Sequence, residues 1–309
     1  MEVSKTFHIF EDMFVKPWSL KEGFVVGALL IAAGVLLQVV LGPVRWEALA
    51  WPVNFWLLAA GLILIVTAYA LRRRVYFFEW MMHNGAGVPA LVYALGLTMV
   101  MGLTVQGGHG MPWLGQMLRF WPFVLAWGWV VLIAGLAGLN HLLRWKLREI
   151  PFLLNHCGVF LAVVAATLGA PDKQDVKLMA YTDTPEWRAV DSDGRMVVMD
   201  FSIELHQFIM ETYEDGTPKR FASDISVVPV SGEGVRGIVE VNKPLKVGGW
   251  KIYQYDYDDK AGAESAYSTF ELVRDPWLPF VYIGIFMMLL GALCLMLFMA
   301  PKPDRREAV

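Results

Sequence analysis

Six long runs without a charged residue constrain this chain more than any other feature. They span roughly Gly23 to Leu41, Pro52 to Ala70, Val88 to Val105, Trp121 to Leu139, Phe152 to Ala170 and Leu278 to Ala300. An α-helix rises about 1.5 Å per residue, so a run of about 20 residues crosses the roughly 30 Å of a bilayer's hydrocarbon. The runs therefore predict six transmembrane helices, and the 56% hydrophobic content of the 309 residues excludes a single ordinary soluble domain. The first run follows a polar segment and has no small-residue cleavage site after it, so it is expected to be a retained helix and not a signal peptide.

Lys and Arg fix the expected orientation, because short cytoplasmic loops retain positive charge. Arg72, Arg73 and Arg74 follow the second run, Arg144, Lys146 and Arg148 the fourth, and Lys302, Arg305 and Arg306 the sixth. With both termini cytoplasmic, all three clusters fall inside. The long hydrophilic segment 172–275 is then outside. It carries 12 Lys and Arg against 20 Asp and Glu, a net −8, within a chain whose total is −3. Such a balance argues against nucleic-acid binding. The expected organisation is a cytoplasmic segment 1–22, a five-helix membrane region 23–171, an external domain 172–275, a final helix 276–300 and a cytoplasmic tail 301–309, in a bacterial inner membrane with the large domain periplasmic.

Within the hydrophilic segment the pattern shortens and alternates: "RMVVMDFSIELHQF", "DISVVPVSG", "GIVEVNKPLKV", "WKIYQYDY" and "AYSTFELV". Alternation rich in β-branched and aromatic residues reads as strands with one buried face. "YEDGTPKRF" and "VSGEGVRG" supply turn residues between them. An all-β sandwich or barrel between the fifth and sixth helices is expected. Only Cys157 and Cys294 occur, both in apolar runs, so no disulfide is expected outside and both thiols read as packing. Neither a catalytic residue nor a metal-ligand cluster is apparent in this segment, and the acidic run Asp256, Asp258 and Asp259 reads as a solvated edge.

Three ordered motifs carry a resemblance: "YEDGTPKRFASDISV", "VNKPLKVGGWKIYQYDYD" and "VRDPWLPFVYIGIFMMLLGALCLML", the last leading into the final helix. Together they resemble the ResB family, also called CcsB or Ccs1, of the type II cytochrome c maturation system. The resemblance runs from about Pro151 to the C-terminus. It implies a non-catalytic subunit of a cytochrome c heme lyase complex, partnered by a CcsA-type Trp-rich membrane subunit, surrounded by lipid and serving apocytochrome c. Heme b would be transported or transiently bound. "NHCGVFL" is similar to the start of a family helix headed by His, which implies that His156 is an axial ligand of the heme iron, with the opposite ligand supplied by the partner. Asn242, Tyr253, Gln254 and Asp275 stand at family-motif positions and are expected to stabilise the fold or dock the partner. The chain departs from the family in having five helices before the external domain where three are usual, because Val88 to Arg148 adds a helical pair.

A membrane histidine generally faces a bundle interior, a cavity or a cofactor. His156 reads either as an iron ligand or as an interhelical hydrogen-bonding residue. Asn140-His141 and Asn155-His156 approach the same membrane face from consecutive helices, so His141 could complete an internal bis-His site, although Arg144 nearby would also suit a solvated histidine. His109, between glycines in "VQGGHGMPW", is a candidate external heme or quinone contact. His8, His83 and His206 have no partner at a ligand spacing. Trp121, Trp127 and Trp129 read as membrane belt and packing. Two other functions fit the same features: a cytochrome b-like anchor passing electrons from quinol to a periplasmic enzyme, and a heme-free scaffold for secreted partners.

Overall fold

A computed structural model describes residues 16–107, 113–215 and 217–298. It divides into two compact units, one formed by residues 1–171 with 278–309 and the other by 172–277. The first is helical: α1 (Leu20–Leu41), α2 (Val53–Leu71), the short α3 (Tyr76–Trp80), α4 (Asn84–Leu103), α5 (Trp121–Arg144), α6 (Ile150–Gly169) and α7 (Leu278–Phe298). All except α3 are long and apolar enough to cross a membrane, as in a multi-pass membrane protein. α5 continues five residues beyond the charge-free run, through His141 to Arg144. A charge-free criterion stops at the first ionisable group, whereas backbone hydrogen bonding does not.

α5 is the centre of this unit. It is 44% buried along its span against 11–22% for the other five. Polar side chains fasten it and its neighbours, as they must where lipid offers no hydrogen-bonding partner. Gln38 of α1 accepts the backbone N–H of Trp121 at 3.1 Å, and Trp127 Nε1 donates to Thr98 Oγ1 of α4 at 3.3 Å. Asn54 is fully buried and donates to Leu168 O at 2.9 Å, tying α2 to the end of α6. α4 and α5 thus form much of the core of this unit, through Ala86, Ala90, Ala94, Ala126, Trp129 and Leu136. α6 and α7 pack at backbone distance: a Cβ on Gly284 would lie 2.7 Å from Gly158 O and 2.6 Å from Ala162 N. Small residues permit such close approach between membrane helices.

The second unit is one antiparallel sheet of eight strands: β1 (Gln174–Tyr181), β2 (Glu186–Asp191), β3 (Met196–Thr212), β4 (Pro218–Pro229), β5 (Val235–Glu240), β6 (Leu245–Val247), β7 (Trp250–Tyr257) and β8 (Tyr267–Arg274). Their order is β5-β4-β3-β2-β1-β8-β7-β6, an up-and-down meander in which β8 returns beside β1. Its two end strands, β5 and β6, are joined by a short turn in which Glu240 and Lys243 exchange backbone hydrogen bonds at 3.2 and 3.3 Å, so the sheet curls back on itself into a barrel-like roll. β1 and β2 were not among the alternating segments singled out in the sequence. β1 does alternate, burying Val176, Leu178 and Ala180 while exposing Asp175, Lys177 and Met179, but Val176 and Tyr181 are its only β-branched or aromatic residues, so the enrichment that marks the other strands is weak. β2 buries only Ala189. "GIVEVNKPLKV" is two strands and not one, because the turn at Val241 and Asn242 precedes Pro244, which has no N–H for a ladder.

Fifteen buried residues fill the barrel, among them Phe201, Ile203, Leu205, Trp250, Ile252, Phe270 and Leu272. Beside them lies a buried polar knot. Ser223 Oγ donates to Gln254 Oε1 at 2.6 Å and lies 2.8 Å from Ser268 Oγ, while Gln254 Nε2 donates to Asp256 O at 3.0 Å.

Candidate functional site

α5 and α6 bring His141 and His156 together, with ring centroids 5.3 Å apart and planes 32° to one another. The connecting segment makes this possible. Trp145 takes a positive φ of 24° as α5 ends, and a short 3-10 turn over Leu147–Glu149 leads into α6. That turn brings Glu149 back to His141, whose Nδ1 lies 2.7 Å from Glu149 Oε2. The carboxylate accepts, so Nδ1 carries a proton, and in a neutral ring Nε2 would keep the lone pair. His141 is 18% exposed and stacks on Phe152 at 5.6 Å, so it is an ordered, half-buried group and not a solvated one. His156 has the same tautomeric logic one turn along. Its Nδ1 lies 2.8 Å from Phe152 O, an obligate acceptor, which again reserves Nε2. Fixing one ring nitrogen through a hydrogen bond is how proteins orient a metal-ligating imidazole.

The neighbours of His156 serve packing. A Cβ on Gly138 of α5 would lie 2.8 Å from Cys157 Sγ, so the thiol occupies the space that the glycine leaves. Asn155 donates to Pro151 O at 2.8 Å within α6. On the open side, Arg144, Lys146 and Arg148 are exposed around the same turn. His109 lies outside the described residues, and His83 immediately precedes α4, apart from this pair in the sequence.

The four family-motif positions in the β unit separate by burial. Asn242 is exposed in the β5–β6 turn and Tyr253 is half-buried on β7. Asp275 Oδ1 accepts the backbone N–H of Trp277 at 3.1 Å. Gln254 is 4% exposed and committed to the polar knot, which fits the fold-stabilising side of its expected role.

Residues 144–266 match the ResB-like family, a stretch that contains His156 and most of the β unit. Over these residues the chain is similar to that family. The chain is also similar to curated proteins. The cytochrome c biogenesis protein CcsB of Synechococcus elongatus is 27% identical over 116 residues, which cover 34% of this chain and 24% of that protein. The CcsB of Thermosynechococcus vestitus is 34% identical over 106 residues, covering 33% and 24%. The chloroplastic cytochrome c biogenesis protein CCS1 of Oryza sativa is 38% identical over 61 residues, covering 19% and 11%. The matches thus span about a quarter or less of these relatives' length.

Heme ligation can be tested against the donor set. A neutral imidazole with Nδ1 protonated and Nε2 available is the form that binds heme iron, so His156 fits one axial position, as does His141 taken singly. The pair does not fit the two faces of one iron as it stands. Two metal–nitrogen bonds of about 2 Å plus two ring radii would separate the centroids by roughly 6 Å or more, and the observed rings are closer. Sequence reasoning missed Glu149 and Phe152, although "NHLLRWKLREIPFLLNH" places a carboxylate between the two histidines. It also missed a group in the β unit. Asp183, Glu204 and His206 bring their ligand atoms within 4.8 Å of one another, contrary to the expectation that this segment holds no metal-ligand cluster. Glu204-Leu205-His206 offered the signal, because residues two apart share a strand face.

Proposed function

We propose that this protein is a ResB-like component of cytochrome c maturation, holding heme b at His156 as it crosses from the cytoplasm and passing it to apocytochrome c with a CcsA-type partner. The observation that carries the proposal is the hydrogen bond of His156, with Nδ1 held by Phe152 O and Nε2 available, inside the stretch that matches the ResB-like family, in a chain similar to proteins named for cytochrome c biogenesis. The iron would supply the ligand-exchange chemistry. The chain's part is to present one axial nitrogen from an apolar helix bundle. Exposed Arg144, Lys146 and Arg148 complement the charge of the heme carboxylates at the cytoplasmic mouth. The orientation follows from the same cluster: both termini cytoplasmic, the β barrel periplasmic, the membrane the bacterial inner membrane.

The barrel would brace the partner or orient the apocytochrome, with exposed Asn242 as a contact candidate together with Tyr253 and Asp275. In the electron-transfer alternative this chain must supply both axial ligands of one iron, and the spacing of His141 and His156 speaks against that. The test is genetic and chemical together. Cells lacking this chain should lose covalently attached heme from their c-type cytochromes, read by heme staining of denatured protein. The wild-type chain should restore it, and His156→Ala should not. Full maturation in the deletion strain would refute the proposal.

A further inference from the structure

We infer that Asp183, Glu204 and His206 form a binding site for one divalent transition-metal ion such as Zn2+ in the β barrel, independent of the heme reading. The three groups converge for local reasons. Glu204 and His206 lie two apart on β3 and are both half-buried on its outer face, while Leu205 between them is fully buried. The ladder to β4 shifts register between Leu205 and Gln207, a bulge that re-aims the side chain at His206. Asp183, just beyond β1, is fastened to the same point of β3: its N–H donates to Leu205 O at 2.9 Å, and Thr182 bridges Leu205. Three ligand atoms within 4.8 Å of one another can close on a single ion.

The charge balance favours an ion there. Four other acids of the barrel are met by guanidinium groups: Glu186 by Arg188, Asp224 by Arg236, and Glu211 and Glu240 by Arg220. Among the described residues, Asp183 and Glu204 have no such Lys or Arg partner, although two carboxylates held close repel. His206 completes the donor set. Its Nε2 lies 2.7 Å from Ser226 Oγ on β4, which can accept that N–H and leave Nδ1 as the donor to an ion. One imidazole nitrogen and two carboxylate oxygens suit a borderline ion such as Zn2+ better than Mg2+ or Ca2+, which prefer all-oxygen shells. A bound ion would clip the β1–β2 connection to the middle of β3.

The full-length protein, purified in detergent and stripped with chelator, is titrated with Zn2+ by calorimetry. Wild type should take up an ion that His206→Gln and Glu204→Gln each bind at least tenfold more weakly, while Ser226→Ala should bind it more weakly than wild type but better than either. The melting temperature of the wild type should rise with Zn2+, and that of His206→Gln should rise less. These groups are half-buried or exposed, and circular dichroism of the metal-free variants checks that they fold as the wild type does. Wild type without saturable Zn2+ binding, or folded His206→Gln with wild-type affinity, would overturn the site.

Discussion

The helical unit and the barrel treat their histidines in opposite ways. In the helical unit His141 and His156 are both held through Nδ1, the nitrogen nearer the backbone, and keep the outer Nε2. In the barrel His206 is engaged through Nε2 instead. An outer nitrogen can reach iron at the centre of a bulky macrocycle, whereas an inner one suits a bare ion gripped by neighbouring side chains. Polar satisfaction differs in parallel. Asn54 and Gln38 reach the backbone of another helix, while Ser223, Gln254 and Ser268 bond chiefly to one another inside the barrel. The helical unit also buries Trp80 Nε1 and Trp129 Nε1 with no hydrogen-bond partner. Its core relies on backbone proximity and the barrel's on apolar volume.

The comparison is broken most severely by emptying the barrel core. Phe270→Ala is expected to cost about 3 to 5 kcal/mol, as large-to-small core changes do, and hydrogen exchange should rise across the strands but not in α1–α7. Gly284→Leu should do the reverse, at about 1 to 3 kcal/mol by overpacking, loosening α6 and α7 while leaving barrel exchange unchanged. Acid gives a finer test. Arg188 hydrogen bonding to Glu186, against a smaller opposing effect of burial, lowers the carboxyl from an ordinary 4.5 to about 2. The resulting stability is present above about pH 4.5 and is lost as pH falls toward 2. Arg188 is exposed, so screening limits the pair to about 1 kcal/mol. Denaturant melts of the barrel between pH 5 and 2 should show this loss, diminished in Glu186→Gln. The smallest effect belongs to Arg236→Ala, which removes an exposed partner of Asp224 and should shift stability by less than about 1 kcal/mol.

Much of the fold was legible because each physical signal is local. A charge-free run reports a membrane helix directly, and alternation reports most of the longer strands. The shortfalls have equally local causes. β1 has few β-branched or aromatic residues to mark it, Val176 and Tyr181 alone, and Pro244 divided what looked like one strand. Sites depend instead on long-range register. His156 was legible as an inconvenient polar group in an apolar run. The return of Glu149 to His141 depends on the turn at Trp145, and the approach of Asp183 to Glu204 depends on a backbone bond to Leu205. Gln254 shows the converse, since a motif position that left fold stabilisation and partner docking open turns out to lie in the core.

Heme content measured by absorption, on the protein purified together with a CcsA-type subunit, tests the proposed ligation at His156. The account predicts a Soret band in the wild type that falls to background in His156→Ala and returns when imidazole is added. An undiminished band in the folded His156→Ala protein would contradict it.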